Sequence, residues 1–82
     1  MRIYLQRPES EGHPAQFYQL ILQPDLLGGA TLIRQWGRVG QRGSYKARHL
    51  ASLPEAQQEL EALRQRLLQQ GYRTTFVQGE NG

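Results

Sequence analysis

The segment ATLIRQWGRVGQRGSYKARHL, residues 30–50, contains the pattern that decides the fold of this chain of 82 residues. We interpret residues 30–38 and 44–50 as β-strands. The connection between them, Gly40-Gln41-Arg42-Gly43, contains two glycines that can adopt the positive φ angles of a hairpin turn. The two strands are therefore predicted to be antiparallel neighbours.

The same segment concentrates the positive charge of the chain. The 82 residues carry a net charge of +3, from ten basic and seven acidic side chains. Residues 30–50 contain five of the basic side chains and no acidic one, so the other 61 residues have a net charge of −2. The sequence thus predicts one basic hairpin on a slightly acidic scaffold. The basic residues of this hairpin are Arg34, Arg38, Arg42, Lys46 and Arg48.

Three further extended segments flank the hairpin. Residues 2–6 alternate polar and apolar side chains in a short segment, which predicts an edge strand. Residues 16–23 carry apolar side chains on both faces, which is typical of a central strand. Residues 72–77 are expected to form a last strand or an extended tail, and residues 78–82 a disordered tail.

A helix is predicted between residues 52 and 70. Ser52 and Glu55 match a capping box, in which each side chain can bond a backbone amide at the helix start. Gly71 is a typical C-terminal stop. One helix packed on an antiparallel sheet of four to five strands is an α+β fold, and we expect residues 1–77 to form a single domain. The apolar residues of the helix recur on one face, at Ala56, Leu60, Leu63 and Leu67.

The composition excludes several classes of protein. The chain contains no cysteine, which excludes disulfides and thiolate zinc sites. Its longest aliphatic run is Leu20-Ile21-Leu22. A membrane helix needs about 20 apolar residues, and a secretory signal needs an apolar region of about 7–15. We therefore expect no membrane partner and a cytoplasmic protein, with association with the nucleoid as a further option.

No arrangement of side chains indicates an enzyme. A nucleophile needs a neighbouring base, whereas Ser52 and Asp25 are expected to serve as a helix cap and a turn residue. His13 and His49 lie far apart and lack the clustered ligands of a metal site. The glycine series in residues 37–43 joins two strands, whereas nucleotide-binding loops lead from a strand into a helix. We therefore expect no catalytic residue, no metal ligand and no cofactor.

Trp36, the only tryptophan, lies near the end of the first hairpin strand. In an extended strand, Arg34, Trp36 and Arg38 share one face, so the indole would lie between two guanidinium groups. Such an indole can stack on a sugar or base while the cations hold phosphates. The alternative is a core tryptophan beside a solvated basic face, which the pattern alone favours because large aromatic residues dominate small cores. Gly37 and Gly40, in the same five-residue stretch, favour the binding interpretation, since glycine lets a ligand approach the backbone closely.

These residues resemble the WGR domain, a family named for its Trp-Gly-Arg motif and found in poly(ADP-ribose) polymerases and in bacterial proteins. The central match is Trp36-Gly37-Arg38-Val39-Gly40. The resemblance covers residues 15–73, and Gln16 stands where the family often has a lysine. The other matching features are Phe17-Tyr18-x-Leu20, the Lys46 strand, the helix start Pro54-Glu55-Ala56, and Gly71-Tyr72.

The resemblance implies an antiparallel sheet with one helix and a role in nucleic-acid binding. In the polymerases the domain binds DNA near a break, with the motif tryptophan against the sugar at a 5′ end and the motif arginine relaying binding to neighbouring domains. Trp36 would then be the end-stacking residue, and Arg38 a contact to nucleic acid or to a partner protein. The predicted nucleic-acid-binding residues are Trp36, Gly37, Arg38, Arg34, Arg42, Lys46 and Arg48.

Two hypotheses follow from these patterns. The first is a non-catalytic module that binds DNA ends or breaks through phosphate contacts and tryptophan stacking. The second is a protein-interaction module in which Arg38 and the exposed sheet face dock a larger regulatory protein. A chain of 82 residues has no room for a polymerase domain, so we expect binding without catalysis.

Overall fold

Five strands and one helix make up residues 1–79, the part of the chain that the computed structural model describes. The strands form one sheet in the order β4-β3-β2-β1-β5, and all neighbours are antiparallel. With the helix packed on one face of the sheet, this is the predicted α+β fold. The elements are β1 (Arg2–Arg7), β2 (Gln16–Pro24), β3 (Ala30–Arg38), β4 (Ser44–Leu50), α1 (Leu53–Gln69) and β5 (Arg73–Gln78).

The strand order confirms one prediction and corrects another. β2 occupies the centre of the sheet, as expected from its two apolar faces. The prediction that β1 is an edge strand was wrong, because β5 pairs with its outer side. The chain after α1 therefore continues as a strand rather than as a loose tail. Of the tail predicted at 78–82, Gln78 is the last residue of β5, and residues 80–82 lie outside the described residues.

The hairpin between β3 and β4 has the predicted geometry. The two strands pair antiparallel over Ala30–Trp36 and Ser44–Leu50. The turn glycines both have positive φ angles, 90° at Gly40 and 74° at Gly43. A residue with a side chain seldom adopts such angles, so the glycines allow the chain to reverse here.

The helix is anchored at both ends and by one apolar face. Ser52 Oγ accepts a hydrogen bond from the backbone N–H of Glu55 at 3.3 Å, which caps the helix start. Gly71, with φ of 94°, follows the last turn as predicted. The helix and one side of the sheet enclose the core. Its residues are Ile3, Leu5, Leu20, Leu22, Ala30, Leu32, Ala56, Leu60, Leu63, Leu67 and Tyr72.

The two faces of the sheet have different surroundings. The face that bears α1 is called the helix side, and the opposite one is called the open face. Within residues 1–79, the only helix packs on the helix side, and this helix is too short and too polar to cross a membrane. The open face is therefore left without a second layer in the described part of the chain.

Candidate functional site

Trp36 lies on the helix side of the sheet and packs against Tyr18 of the neighbouring strand. The two rings are stacked, with centroids 5.6 Å apart and planes 14° from parallel. On the other side, β4 places only the small Ser44 opposite Trp36. The indole is half-buried and lies outside the core cluster. Trp36 is thus neither a core residue nor a fully exposed one. One face of its ring is packed on Tyr18, and the side towards β4 is bordered by the small Ser44.

An aromatic row continues from Trp36 to the end of the helix. Tyr18 meets Tyr72 edge to face at 6.0 Å between centroids. The Arg7 guanidinium lies 5.0 Å from the Tyr72 ring centroid and donates a hydrogen bond to Gln16 Oε1 at 2.9 Å. Tyr72 Oη donates to the same oxygen at 3.2 Å. These contacts hold Tyr72 in place, and Tyr72 in turn supports Tyr18, on which Trp36 is stacked.

One arginine lies against the indole. The Arg34 guanidinium carbon is 5.7 Å from the Trp36 ring centroid, a cation–π distance. Within residues 1–79, Arg38 makes no such contact with Trp36, although the sequence predicted an indole between two arginines. The reason is that β3 ends at Arg38 and the chain turns, with the Arg38 carbonyl accepting from the Gln41 N–H at 3.1 Å.

A basic cleft lies beside Trp36, between the β3–β4 hairpin and α1. Its volume is about 410 Å³. Arg34 and Lys46 face each other across the two strands, and Arg48 follows on the same face of β4. The helix contributes a fourth cation, Arg66. The residues that line the cleft are Leu32, Arg34, Lys46, Arg48, Glu59, Ala62, Leu63 and Arg66.

One carboxylate lies among these cations. Glu59 Oε1 accepts a hydrogen bond from Arg48 and forms an ion pair with it. The other oxygen of Glu59 is buried and has no hydrogen-bond partner in the described residues. With four cations and one carboxylate, the cleft has an excess positive charge. An anion that enters the cleft would compete with Glu59 for Arg48.

Packing explains why the motif has a glycine at position 37. A Cβ atom at Gly37 would lie 2.7 Å from the Gly43 Cα atom and 3.7 Å from Cε1 of Phe17. The turn of the hairpin therefore folds back across Gly37 on the open face. This contact accounts for the absence of a side chain at Gly37, and its role in ligand binding stays a prediction.

The structure gathers some of the predicted site residues and separates others. Arg34, Lys46 and Arg48 line the cleft next to Trp36. Arg38 and Arg42 are exposed at the end of the hairpin and do not line the cleft. The predicted site is therefore divided into a cleft and a hairpin tip.

Arg66 was missed by the sequence analysis. Its position in the last turn of α1 suits the helix dipole, which accounts for a cation at this position without any ligand. The available signal was its spacing: Arg66 follows Glu59 by seven residues and the buried Leu63 by three. Residues with this spacing share one flank of a helix, and this flank borders the cleft.

A second polar contact joins the β2–β3 turn to the end of β4. Asp25 Oδ2 and His49 Nε2 are 3.1 Å apart. The hydrogen bond with His49 lowers the pKa of Asp25 below its ordinary value of 3.8, and the N–H of Leu27 lowers it further. Desolvation opposes this shift, while the N–H of Gly29 and the charge of His49 add to it. In residues 1–79, no three side chains of the metal-binding types cluster.

The fold and the site define a small sheet-and-helix module with a basic cleft beside a packed tryptophan. The model of the WGR domain family matches residues 1–78, and the chain belongs to this family. The match also includes β1, which the resemblance over residues 15–73 had left out. WGR domains are non-catalytic modules of a nucleic-acid-binding family.

The chain is also similar to an uncharacterized protein, y4dW, of Sinorhizobium fredii. The two sequences are 33% identical over 73 residues, which is 88% of this chain. The matched segment spans only 35% of the length of that relative. No solved structure matched the chain.

Proposed function

We propose that this protein binds DNA at ends or breaks, with Trp36 against the terminal sugar or base and the basic cleft on the adjoining phosphates. The observation that carries this proposal is the position of the half-buried indole directly beside the cleft, on one face of the sheet. A stacked terminal nucleotide and its phosphates would then be held by two neighbouring parts of one surface.

The roles of the cations follow from their positions. Arg34 lies against the indole and opposite Lys46, so both are assigned to the phosphates nearest the stacked nucleotide. Arg48 and Arg66 extend the contact along the cleft. Arginine suits this task because its planar fork binds phosphate through two hydrogen bonds. The hairpin turn packs against Gly37, next to the indole, so we assign Gly37 a structural role in the site.

The exposed arginines at the hairpin tip form the second part of the proposed interface. In residues 1–79, the Arg38 side chain has no hydrogen bond or ion pair, so its guanidinium is available to a phosphate or to a carboxylate of a partner protein. Arg42 lies in the turn and is likewise exposed. We assign both to contacts beyond the terminal nucleotide.

The proposal is tested by intrinsic fluorescence, because Trp36 is the only fluorescent indole. The protein is titrated with a 5′-phosphorylated blunt duplex, with the same duplex closed by loops at both ends, and with a single strand. Stacking on a terminal nucleotide should quench or shift the emission with the open duplex and leave it nearly unchanged with the closed one. Equal emission changes with the open and closed duplexes would contradict recognition of ends.

A matched pair of charge variants tests the cleft. Arg34→Gln and Arg73→Gln each remove one positive charge, but Arg73 lies on β5 at the opposite edge of the sheet. Arg34→Gln should weaken binding to the open duplex about tenfold, which corresponds to roughly 1.4 kcal/mol. Arg73→Gln should have a much smaller effect. Similar losses in the two variants would show that only net charge matters and would contradict a defined cleft.

A second candidate function, docking of a protein partner, is favoured by the turn between β2 and β3. Leu26 and Leu27 are fully exposed there, with 103% and 95% of their surface accessible. The turn is held in shape by Asp25 Oδ1, which accepts from the N–H groups of Leu27 and Gly29. If partner docking is the function, Leu26→Ser should abolish capture of a stoichiometric protein partner and leave DNA binding unchanged.

A further inference from the structure

A row of side chains crosses the open face of the sheet, on the side opposite Trp36. The strand register places one residue from each strand side by side across the sheet. With a spacing of about 4.8 Å between strands, the row is roughly 19 Å long. In order from β4 to β5, its members are Tyr45, Gln35, Gln19, Tyr4 and Phe76.

The aromatic rings of this row are accessible. Tyr45 is 65% exposed and Phe76 51% exposed, at the two edges of the sheet. Tyr4 is half-buried and stacks in parallel on Phe17, with centroids 5.8 Å apart and planes 2° from parallel. Rings in such positions offer flat apolar surface next to a polar backbone, and no helix or second sheet in residues 1–79 forms a layer above them.

Amide groups fill the centre of the row. Gln19 Nε2 donates to Gln35 Oε1 at 3.3 Å, and Gln35 Nε2 donates to the Arg42 carbonyl at 2.8 Å. Each amide can form up to four hydrogen bonds, so these contacts leave donor and acceptor capacity on both glutamines. Groups of this kind can bond base edges of any sequence.

The charge of the strands favours a polyanion as the partner of the open face. None of the five strands contains an aspartate or glutamate. Arg2, which alternates with the buried Ile3, adds a cation at the border of the open face. A second copy of this chain would offer the same carboxylate-free face and therefore no complementary charge. A polyanion with flat rings complements the exposed aromatic rings and Arg2, and it meets no carboxylate on the strands.

We propose that the open face is a second binding surface, which takes single-stranded nucleic acid by stacking bases on Tyr45, Tyr4 and Phe76. The glutamine amides contact the base edges, and the phosphates lie along the border of the sheet. Surfaces of this type combine stacking with electrostatic attraction and tolerate many sequences. This site is separate from the one proposed at Trp36, because the two lie on opposite faces of the sheet.

The proposal is tested by NMR on the unmodified protein, labelled with ¹⁵N. Two oligonucleotides of about eight nucleotides, one of DNA and one of RNA, are added separately to distinguish the two sources of single strand. Amide shifts at residues 19, 35, 45 and 76 with either probe support the proposal. Shifts confined to the surroundings of Trp36 and the cleft would overturn it, as would a dimer that forms through the open face and excludes both probes.

Variants separate the two surfaces. Tyr45→Ala and Phe76→Ala should each weaken single-strand binding about fivefold or more, the usual effect of losing one stacked base. Tyr45→Phe keeps a ring and should retain binding. Val77→Ala is the matched control, because Val77 is 49% exposed on the same strand as Phe76 but pairs with the buried Ile3. Equal losses in Phe76→Ala and Val77→Ala would contradict the proposal.

An indole moved to the open face gives a second readout. In Trp36→Phe, the further change Tyr45→Trp places the only indole on the exposed position of the row. Its emission should change with single strands, while recognition of duplex ends should be lost together with Trp36. Because each surface has its own probe and its own variants, failure of one proposal is distinguished from failure of the other.

Discussion

Trp36 is held in position before any ligand arrives. Its ring is stacked on Tyr18, and Tyr18 in turn meets Tyr72 at the end of the helix. A side chain that is already fixed loses little conformational entropy on binding, so more of its contact energy contributes to affinity. The same packing gives Trp36 a share in stability, and any variant at this position needs its folding verified before a loss of binding is interpreted.

Glu59 is predicted to weaken binding in the native protein. Its carboxylate pairs with Arg48, and its second oxygen is buried without a partner. Glu59→Gln removes the competing negative charge, so affinity for the open duplex should rise about three- to tenfold, equivalent to roughly 0.7–1.4 kcal/mol. Fluorescence anisotropy of a labelled duplex measures the change.

The control for this prediction is Glu61→Gln. Glu61 lies on the same helix and carries the same charge, but it is exposed and does not line the cleft. Its replacement should raise affinity only slightly, through the net charge. If both variants bind equally well, the ion pair of Glu59 with Arg48 does not limit binding.

Gly43 is predicted to be the least replaceable glycine of the hairpin. A Cβ atom at Gly43 would overlap the carbonyl oxygen of Trp36, whereas Gly40 has a similar positive φ and open space around it. Gly40→Ala should therefore cost about 1–2 kcal/mol from backbone strain alone. Gly43→Ala should cost about 1–3 kcal/mol more, because the strand and turn must move apart. Urea unfolding measures both, and equal midpoints would contradict this packing.

At the scale of the elements, the candidate cleft exists because α1 crosses the sheet beside the hairpin. The helix buries Leu60, Leu63 and Leu67 in the core that it shares with the sheet, which fixes its direction. Its flank then brings Arg66 and Glu59 to the cations of β3 and β4. The apolar face of the helix thus positions the polar flank, and neither element forms the cleft alone.

The link between the β2–β3 turn and β4 is predicted to depend on pH. The His49 hydrogen bond lowers the pKa of Asp25 in the folded state, so the folded protein favours the ionised carboxylate. The stabilisation is present above the unfolded pKa, near 3.8, and is lost as the pH falls through the lower folded value.

Thermal unfolding of the native protein and of Asp25→Asn, compared across this pH range, measures the effect. The difference in midpoint between the two proteins should shrink as the pH falls below about 4, since the native carboxylate then becomes neutral. A difference that stays constant with pH would show that the charge of Asp25 does not support this contact.

At the scale of the whole molecule, charge is divided between the elements. In residues 1–79 the strands contain basic and no acidic side chains, while the carboxylates lie in α1 and the loops. Strands that carry charge of one sign attract a polyanion from a distance, whereas the carboxylates of the helix and loops repel it. The concentration of charge in the hairpin, evident from sequence, is thus part of a wider basic sheet.

The salt dependence of DNA binding is predicted from the cleft. Its four cations less Glu59 correspond to about three neutralised phosphates, so the cleft should contribute a slope near −2.7 to the fall of the logarithm of affinity with the logarithm of salt. Any phosphate contact of Arg38 or Arg42 should make the total slope more negative. Anisotropy titrations at several salt concentrations give this slope. Arg34→Gln should make the slope less negative by about 0.9, and a slope near zero in the native protein would contradict phosphate contacts in the cleft.

Particular residues show how far prediction from sequence reaches. The helix bounds, the central strand β2 and the hairpin turn were all predicted, because capping, alternation and turn glycines act through neighbours in the chain. The place of β1 was missed, since it depends on pairing with β5, more than sixty residues away. Arg66 was missed for the same reason: its partners in the cleft come from other elements.

The sequence by itself determined the α+β class, the basic hairpin and the WGR motif, because each of these is expressed in residues close together along the chain. The tertiary structure alone decided that Trp36 is packed on Tyr18, that Arg66 and Glu59 join the cleft, and that aromatic side chains line an uncovered face. The physical reason is that local preferences select strands, turns and helices, whereas the neighbours of a side chain depend on how these elements pack.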